Sequence, residues 1–347
     1  MKRWMMLGVA LVAFVGVGLL AGCSDDDENG DNGGPTLTEF EILKNYMMEN
    51  ELDLPEMLGT FTIGAQTLFD AGTENYFVMD LRTDDKHGVG DFSEGNGTTD
   101  FEDGHIPGAH MVSLANVVDY EAANNTENLP VVCVCYTGHS AGHAVMALRL
   151  QGVEAQSLAW GMSAWHSDFD MWSTKVGDIA YDYVGTCWEE PETTPPALES
   201  FTNMPQIDSG ESNGAAILEY QLDTAVLDGL NGVANTVVLE DCDDYQVFCY
   251  WTIADWNLYG NIAGSFQVTP GDLTLESLDM LDPDETQVFY CWSGQTASMT
   301  AAWLNVLGYD AHTLIFSANG IIHADLLEKK WGEGSLVPLD FDYDTGP

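Results

Sequence analysis

Two heptapeptides hold the side chains best suited to covalent chemistry: Cys135-Tyr136-Thr137-Gly138-His139-Ser140-Ala141 and Cys291-Trp292-Ser293-Gly294-Gln295-Thr296-Ala297. Each cysteine follows a β-branched or aromatic run, Val131-Val132-Cys133-Val134 in one case and Val288-Phe289-Tyr290 in the other, which reads as a strand ending at the sulfur. Helical spacing comes next: Ala141, Ala144, Val145 and Leu148 recur at i, i+3, i+4 and i+7, and Ala297, Ala301 and Leu304 do so in the second stretch. A cysteine at a strand end that turns into a helix sits over backbone N–H groups and the positive end of the helix dipole. Such groups favour thiolate over thiol, so the spacing predicts a lowered thiol pKa and a nucleophile near neutral pH. The same cradle would hold the anion of a cysteine persulfide. Gly138 and Gly294 let the backbone turn inward without a Cβ clash, while Ser140, Ala141, Thr296 and Ala297 keep the helix start close to the sulfur.

Elements that position these cysteines alternate strand, loop and helix, and Gly152 and Gly308 stop the two helices. That order predicts an α/β fold, each unit a mainly parallel sheet with helices on both faces and its reactive site beyond the strand C-termini. The units repeat. Gly104-His105-Ile106-Pro107-Gly108-Ala109 falls on Gly260-Asn261-Ile262-Ala263-Gly264-Ser265 at an offset of 156 residues, as do Cys135 on Cys291, Gly152 on Gly308 and Leu158 on Leu314. Only a duplicated domain explains a constant offset over such a length. The expected organisation is a domain over 37–186, a linker over 187–212 marked by EEPETTPP, and a second domain over 213–347.

The cysteine loops resemble the active loop of rhodanese-like sulfurtransferases. The resemblance extends to Asp80-Leu81-Arg82 at a strand end, to the GHIPGA segment at 104–109, and to Leu158-Ala159-Trp160-Gly161-Met162-Ser163-Ala164-Trp165. It implies two tandem rhodanese-like domains, with Cys135 as the first catalytic cysteine, Cys291 as the second, Asp80, Arg82 and His105 in support, and neither cofactor nor metal. The chemistry implied is sulfur transfer from a small sulfane donor (polysulfide, a persulfide or thiosulfate) to a thiol acceptor. Ser140 and Thr296 stand where many family members carry an arginine that would grip thiosulfate, which turns the expectation toward polysulfide or persulfide. Ala141 and Ala297 stand where phosphate-transfer relatives carry an oxyanion-binding arginine. In the second copy Cys249-Tyr250-Trp251 replaces Asp80-Leu81-Arg82, so either Cys291 is an accessory sulfur carrier or the second domain serves as a cover for the first. The competing reading is a non-catalytic module that binds or assembles envelope redox proteins.

Composition bounds the surroundings. Nine Lys and Arg against 56 Asp and Glu give a formal net charge of −47, a field that repels nucleic acid, anionic membrane surfaces and dianions. Lys2 and Arg3 precede an apolar run from Trp4 to Leu20 that reads as an export signal over 1–22. Leu20-Ala21-Gly22-Cys23 resembles a bacterial lipoprotein box, which implies lipidation at Cys23, an acidic Gly-rich tether over 23–36, and a cell-envelope protein held at the outer membrane through its lipid alone. Among the remaining cysteines, Cys133 reads as a small buried hydrophobe, and Cys187, Cys242 and Cys249 could supply one disulfide, Cys242 with Cys249 being one arrangement. His139 and His143 suggest either a metal site with Cys135 or, for His139, a protonated imidazole or a solvent-facing loop residue. The 84–103 insertion reads as a flexible acidic loop near the site mouth, with carboxylates that suit calcium without matching a helix-loop-helix site.

Overall fold

The computed structural model describes residues 37–86, 95–191 and 194–347. The signal over 1–22, the lipidation site Cys23, the tether and the middle of the acidic insertion lie outside the described residues. In the first half β1 (Thr62–Ile63), β2 (Phe77–Asp80), β3 (His110–Met111), β4 (Val131–Val134) and β5 (Ala155–Leu158) form one sheet in the order β1-β5-β4-β2-β3. The chain continues through β6 (Trp188–Glu189), β7 (Gly232–Val233), β8 (Gln246–Cys249), β9 (Asn261–Ile262), β10 (Phe266–Gln267), β11 (Gln287–Tyr290) and β12 (Ala311–Leu314). Here the main sheet runs β10-β8-β11-β12-β7, the same connectivity read from the opposite edge, and every pairing in both sheets is parallel. Strands β3 to β5 map onto β10 to β12 at the offset seen in the sequence. The offset is larger for β2 and β8, because the 84–103 insertion belongs to the first half only.

Strands β4 and β11 are buried at all four positions, which is why each reads as an unbroken apolar run rather than an alternating one. The helices that follow them, His139–Leu150 and Gln295–Val306, pack against one another between the two sheets. Nearly every residue of both is buried, so neither has a polar face. Their contact is tight at Gly142, where a Cβ would lie 3.3 Å from Ser298 Oγ and 3.4 Å from the Gln295 carbonyl. One apolar cluster therefore runs through both halves, from Val131, Ala144 and Leu148 to Phe289, Trp303 and Leu304.

Three further ties join the halves. Helix Glu39–Glu49 packs on helix Gly214–Gln221, and a Cβ at Gly214 would collide with Tyr46. A C-terminal segment returns to the first half: the amides of Leu339 and Phe341 donate to the carbonyls of Ala164 and Trp165, and Asp344 pairs with His105 through two 2.9 Å backbone bonds. β6, at the start of the expected linker, pairs antiparallel with β9.

The disulfide joins Cys187 to Cys242, with Cα atoms 5.6 Å apart. This corrects the Cys242–Cys249 arrangement: Cys249 lies at the far end of β8, and strands rise about 3.3 Å per residue, so the two sulfurs are carried apart. Cys249 and Cys133 are free and buried. Among the described residues no helix is long and apolar enough to cross a membrane.

Candidate active site

Cys135 follows directly on β4, and its Sγ accepts a hydrogen bond from the Gly138 amide at 3.1 Å. The amides of Thr137 and Ala141 also face the sulfur. Gly138 holds φ +90°, the left-handed conformation that turns the chain into the helix. Behind the loop, the amides of Met162 and Ser163 donate to the carbonyls of Cys135 and Tyr136. A Cβ at Gly161 would sit 2.3 Å from the Cys135 carbonyl, so that contact requires glycine. Cys135 is 7% exposed and opens onto a cavity of about 490 Å³ whose walls include Arg82, Thr137, Ser140 and Met171.

Burial pushes the Cys135 thiol above its ordinary pKa; the amides of Ala141, Thr137 and Gly138 pull it down, and the Asp80 carboxylate pushes it up. The expected lowering is thus corrected. The amide cradle is present, but loss of water costs the thiolate more than the cradle returns.

Asp80 and Arg82 form a buried pair beside this cavity, with Arg82 Nε 2.9 Å from Asp80 Oδ1 and Nη2 2.5 Å from Oδ2. Nη2 also donates to the Gly104 carbonyl at 2.6 Å, so the pair ties β2 to the GHIPGA segment. The guanidinium carbon lies 5.0 Å over the Tyr136 ring. Nη1 is fully buried, and the guanidinium is held as well by a side-chain hydrogen bond to Tyr136. His105 does not face the cavity: its ring stacks on Phe101 at 3.8 Å and its Nδ1–H donates to the Phe101 carbonyl.

Cys291 follows β11, 3% exposed, and accepts from the Gly294 amide at 3.2 Å. Its cavity is smaller, about 220 Å³, with Phe61, Trp160 and Trp292 in its walls and the Lys329 ammonium 5.0 Å over the Trp292 ring. Where the first half has Asp80 and Arg82, the second buries Cys249 and Trp251, and Trp251 packs on Trp292 at 5.1 Å.

The residues after the two turn glycines reach across to the opposite half. A carbonyl only accepts, so His139 Nε2–H donates to the Ser293 carbonyl at 2.8 Å; burial holds the ring pKa to about 4, so near pH 7 the ring is neutral and Nδ1 accepts from the Thr137 hydroxyl at 2.7 Å. At the equivalent position Gln295 accepts from the Trp160 amide at 3.0 Å and donates to Ser293 Oγ. His143 Nδ1–H donates to Ser298 Oγ, which donates to the His139 carbonyl. His139 is therefore neither a solvent-facing residue nor a charged partner for Cys135, and the two histidines do not converge with that cysteine on a metal. Among the described residues no group of three or more metal-ligating side chains forms.

Burial lowers the pKa of His139 to about 4 and that of His143 to about 3. Because the unfolded chain takes up these protons near pH 6.5 and the folded chain does not, stability is lost as pH falls through about 6.5 toward 4. His139→Gln, which copies the residue of the second half, should remove part of this loss, up to about 3 kcal/mol near pH 4. Urea denaturation at pH 7 and pH 4.5 measures it, and an unchanged pH slope would refute the assignment.

Sequence reasoning missed the roof of the Cys135 cavity, formed by Asp228, Gly229 and Leu230 of the second half with Lys86 at the rim. No local pattern links a surface turn to a cysteine so distant in the chain. Asp84 and Asp100, the described ends of the acidic insertion, line the same cavity, in keeping with a loop at the site mouth.

Comparison with known proteins bears on this geometry. The rhodanese-like domain model matches residues 65–168, which contain Asp80, Arg82 and the Cys135 loop. The chain is 28% identical over 106 residues to the thiosulfate sulfurtransferase GlpE of Pseudoalteromonas translucida, covering 30% of this chain and 87% of that protein. It is 36% identical over 77 residues to GlpE of Shewanella oneidensis, covering 22% of this chain and 72% of that protein. Among solved structures, the 3-mercaptopyruvate sulfotransferase SseA of Escherichia coli is 17% identical, with 74% of this chain and 98% of that chain covered and a TM-score of 0.27. The second half repeats the strand order of the matched segment, so both carry the same α/β architecture. On the strength of the Shewanella relative and the matched segment around Cys135, this chain belongs to the rhodanese-like family.

Proposed function

We propose that the protein is a sulfurtransferase or sulfane-sulfur carrier that holds sulfur as a persulfide on Cys135. The observation that carries this reading is a cysteine sulfur beneath backbone amides, at the wall of a cavity. Cys135 attacks the terminal sulfur of a donor, the donor S–S bond breaks as the Sγ–S bond forms, and the leaving thiolate takes the proton given up by Cys135. The amides of Thr137, Gly138 and Ala141 hold the resulting anion. A thiol acceptor then removes the sulfur by the reverse attack. The relatives named for thiosulfate point to that donor as well; the acidic walls of the cavity favour a persulfide or polysulfide.

Cys291 stands as an accessory carrier, supported by its own amide contact and by Lys329, which supplies a cation that its loop lacks. We further propose a location in the cell envelope with a lipid anchor at Cys23; the Cys187–Cys242 disulfide supports an oxidising compartment. Mass spectrometry of the mature N-terminal peptide should find Cys23 carrying a diacylglycerol, and an unmodified Cys23 would count against the anchor. The sulfur chemistry is tested by exposing the reduced protein to polysulfide, removing excess donor, and mapping a gain of about 32 Da, one sulfur atom, to Cys135 by mass spectrometry; no adduct there overturns the reading.

A further inference from the structure

The Cys135 cavity is completed by the other half of the chain. A single π turn over Leu222–Val226, closed by the Leu227 amide on the Leu222 carbonyl, delivers Asp228, Gly229 and Leu230 to the cavity wall. π turns are rare and cluster at functional sites. The segment is anchored just beyond, where the Asn231 amide faces His143 Nε2 at 3.5 Å and the Asn231 carbonyl accepts from Thr313. Since His143 belongs to the helix that begins at the Cys135 loop, roof and nucleophile are fastened to one element.

Unbalanced charge in this cavity lies at its mouth. Arg82, 4% exposed, lies at its buried end with its charge balanced by Asp80. At the rim Lys86 pairs with Asp84, while Asp228 is exposed and forms no hydrogen bond or ion pair among the described residues. A site charge-balanced within by the Asp80–Arg82 pair and negative at its mouth repels a compact dianion and attracts a molecule that carries a cationic group. About 490 Å³ suits a small molecule.

We propose that Asp228 is a specificity-determining residue that selects, as sulfur donor to Cys135, a small persulfide bearing an ammonium group, such as an amino-acid persulfide. This rests on the sulfur-transfer reading above and adds the class of donor. The sulfur end of the donor lies at the amides around Cys135 and its ammonium toward Asp228. In the step itself Cys135–SH and R–S–SH give Cys135–S–SH and R–SH: one S–S bond breaks as another forms, the proton of the Cys135 thiol passes to the leaving sulfur, and no oxidant is consumed.

The test compares the initial rate of Cys135 loading, read as the one-sulfur adduct on the full chain, with cysteine persulfide and with the persulfide of 3-mercaptopropionate, which keeps the carboxylate and lacks the ammonium. The native protein should prefer cysteine persulfide. Asp228→Asn should cut that preference by roughly threefold to tenfold, the range of a partly exposed ion pair, and added salt should narrow it in the native protein. Glu240→Gln, an exposed carboxylate outside the cavity, should leave the preference intact. Equal loading by both donors in the native protein, or an Asp228→Asn variant with the native preference, overturns the assignment of Asp228 alone. Failure of both donors to load Cys135 overturns the sulfur-transfer reading and this one with it.

Discussion

Cys135→Ser should abolish sulfur loading at that site and cut turnover with any sulfane donor by about 10⁴-fold or more, the scale seen when an enzymatic nucleophile is removed. A serine hydroxyl keeps the hydrogen bond from the Gly138 amide, 3.1 Å from the native sulfur, so the loop should hold its shape while losing the atom that forms the S–S bond. Thermal stability should stay close to native, which separates lost chemistry from lost fold. Cys291→Ser is the informative partner. If Cys135 is the principal carrier, that variant retains the adduct on Cys135 and most of the turnover. Were Cys135→Ser to turn over at the native rate, or to restore every phenotype of a strain lacking the protein, the thiol would not be what the fold serves, and the binding or assembly reading would take its place.

Asp80→Ala should give the largest stability loss of any substitution near the site. Asp80 and Arg82 are almost fully buried, and the carboxylate accepts from both Nε and Nη2 of the guanidinium. Removing one partner leaves a charge in a dry site, at a cost of roughly 3–5 kcal/mol, and loosens the Arg82 contact to the Gly104 carbonyl. Urea denaturation monitored by tryptophan fluorescence measures this. The second half suggests the compensating change, since it fills the equivalent positions with buried Cys249 and Trp251 and carries no ion pair there. A double variant, Asp80→Cys with Arg82→Met, should therefore be more stable than Asp80→Ala alone, because exchanging a whole buried pair for apolar groups is often nearly neutral. A double variant less stable than the single one would refute this compensation.

Legibility in the sequence followed the range of the interactions. Strands β4 and β11, the helices after them and the stops at Gly152 and Gly308 lie close to where the pattern puts them, because strand burial, helical spacing and a left-handed glycine act over a few residues. Equivalence of the halves was likewise visible, since a constant offset needs no three-dimensional knowledge, and the repeated strand order matches it. The burial of His139 was not visible: its neighbours in sequence are a glycine and a serine, while the groups that enclose it, Ser293 and Phe316, come from the other half. Nor was the disulfide, whose cysteines lie 55 residues apart.

Sequence alone thus determined the duplicated α/β domains, the two cysteines at strand ends and the glycines that turn the chain beneath them, all set by local backbone preference. Tertiary structure decided that the loop helices bury each other, that the Cys135 thiol is raised rather than lowered, and that the second half roofs the first cysteine with Asp228. These outcomes depend on how much water is excluded and on which distant groups replace it, and no local pattern encodes desolvation by a partner more than a hundred residues away along the chain.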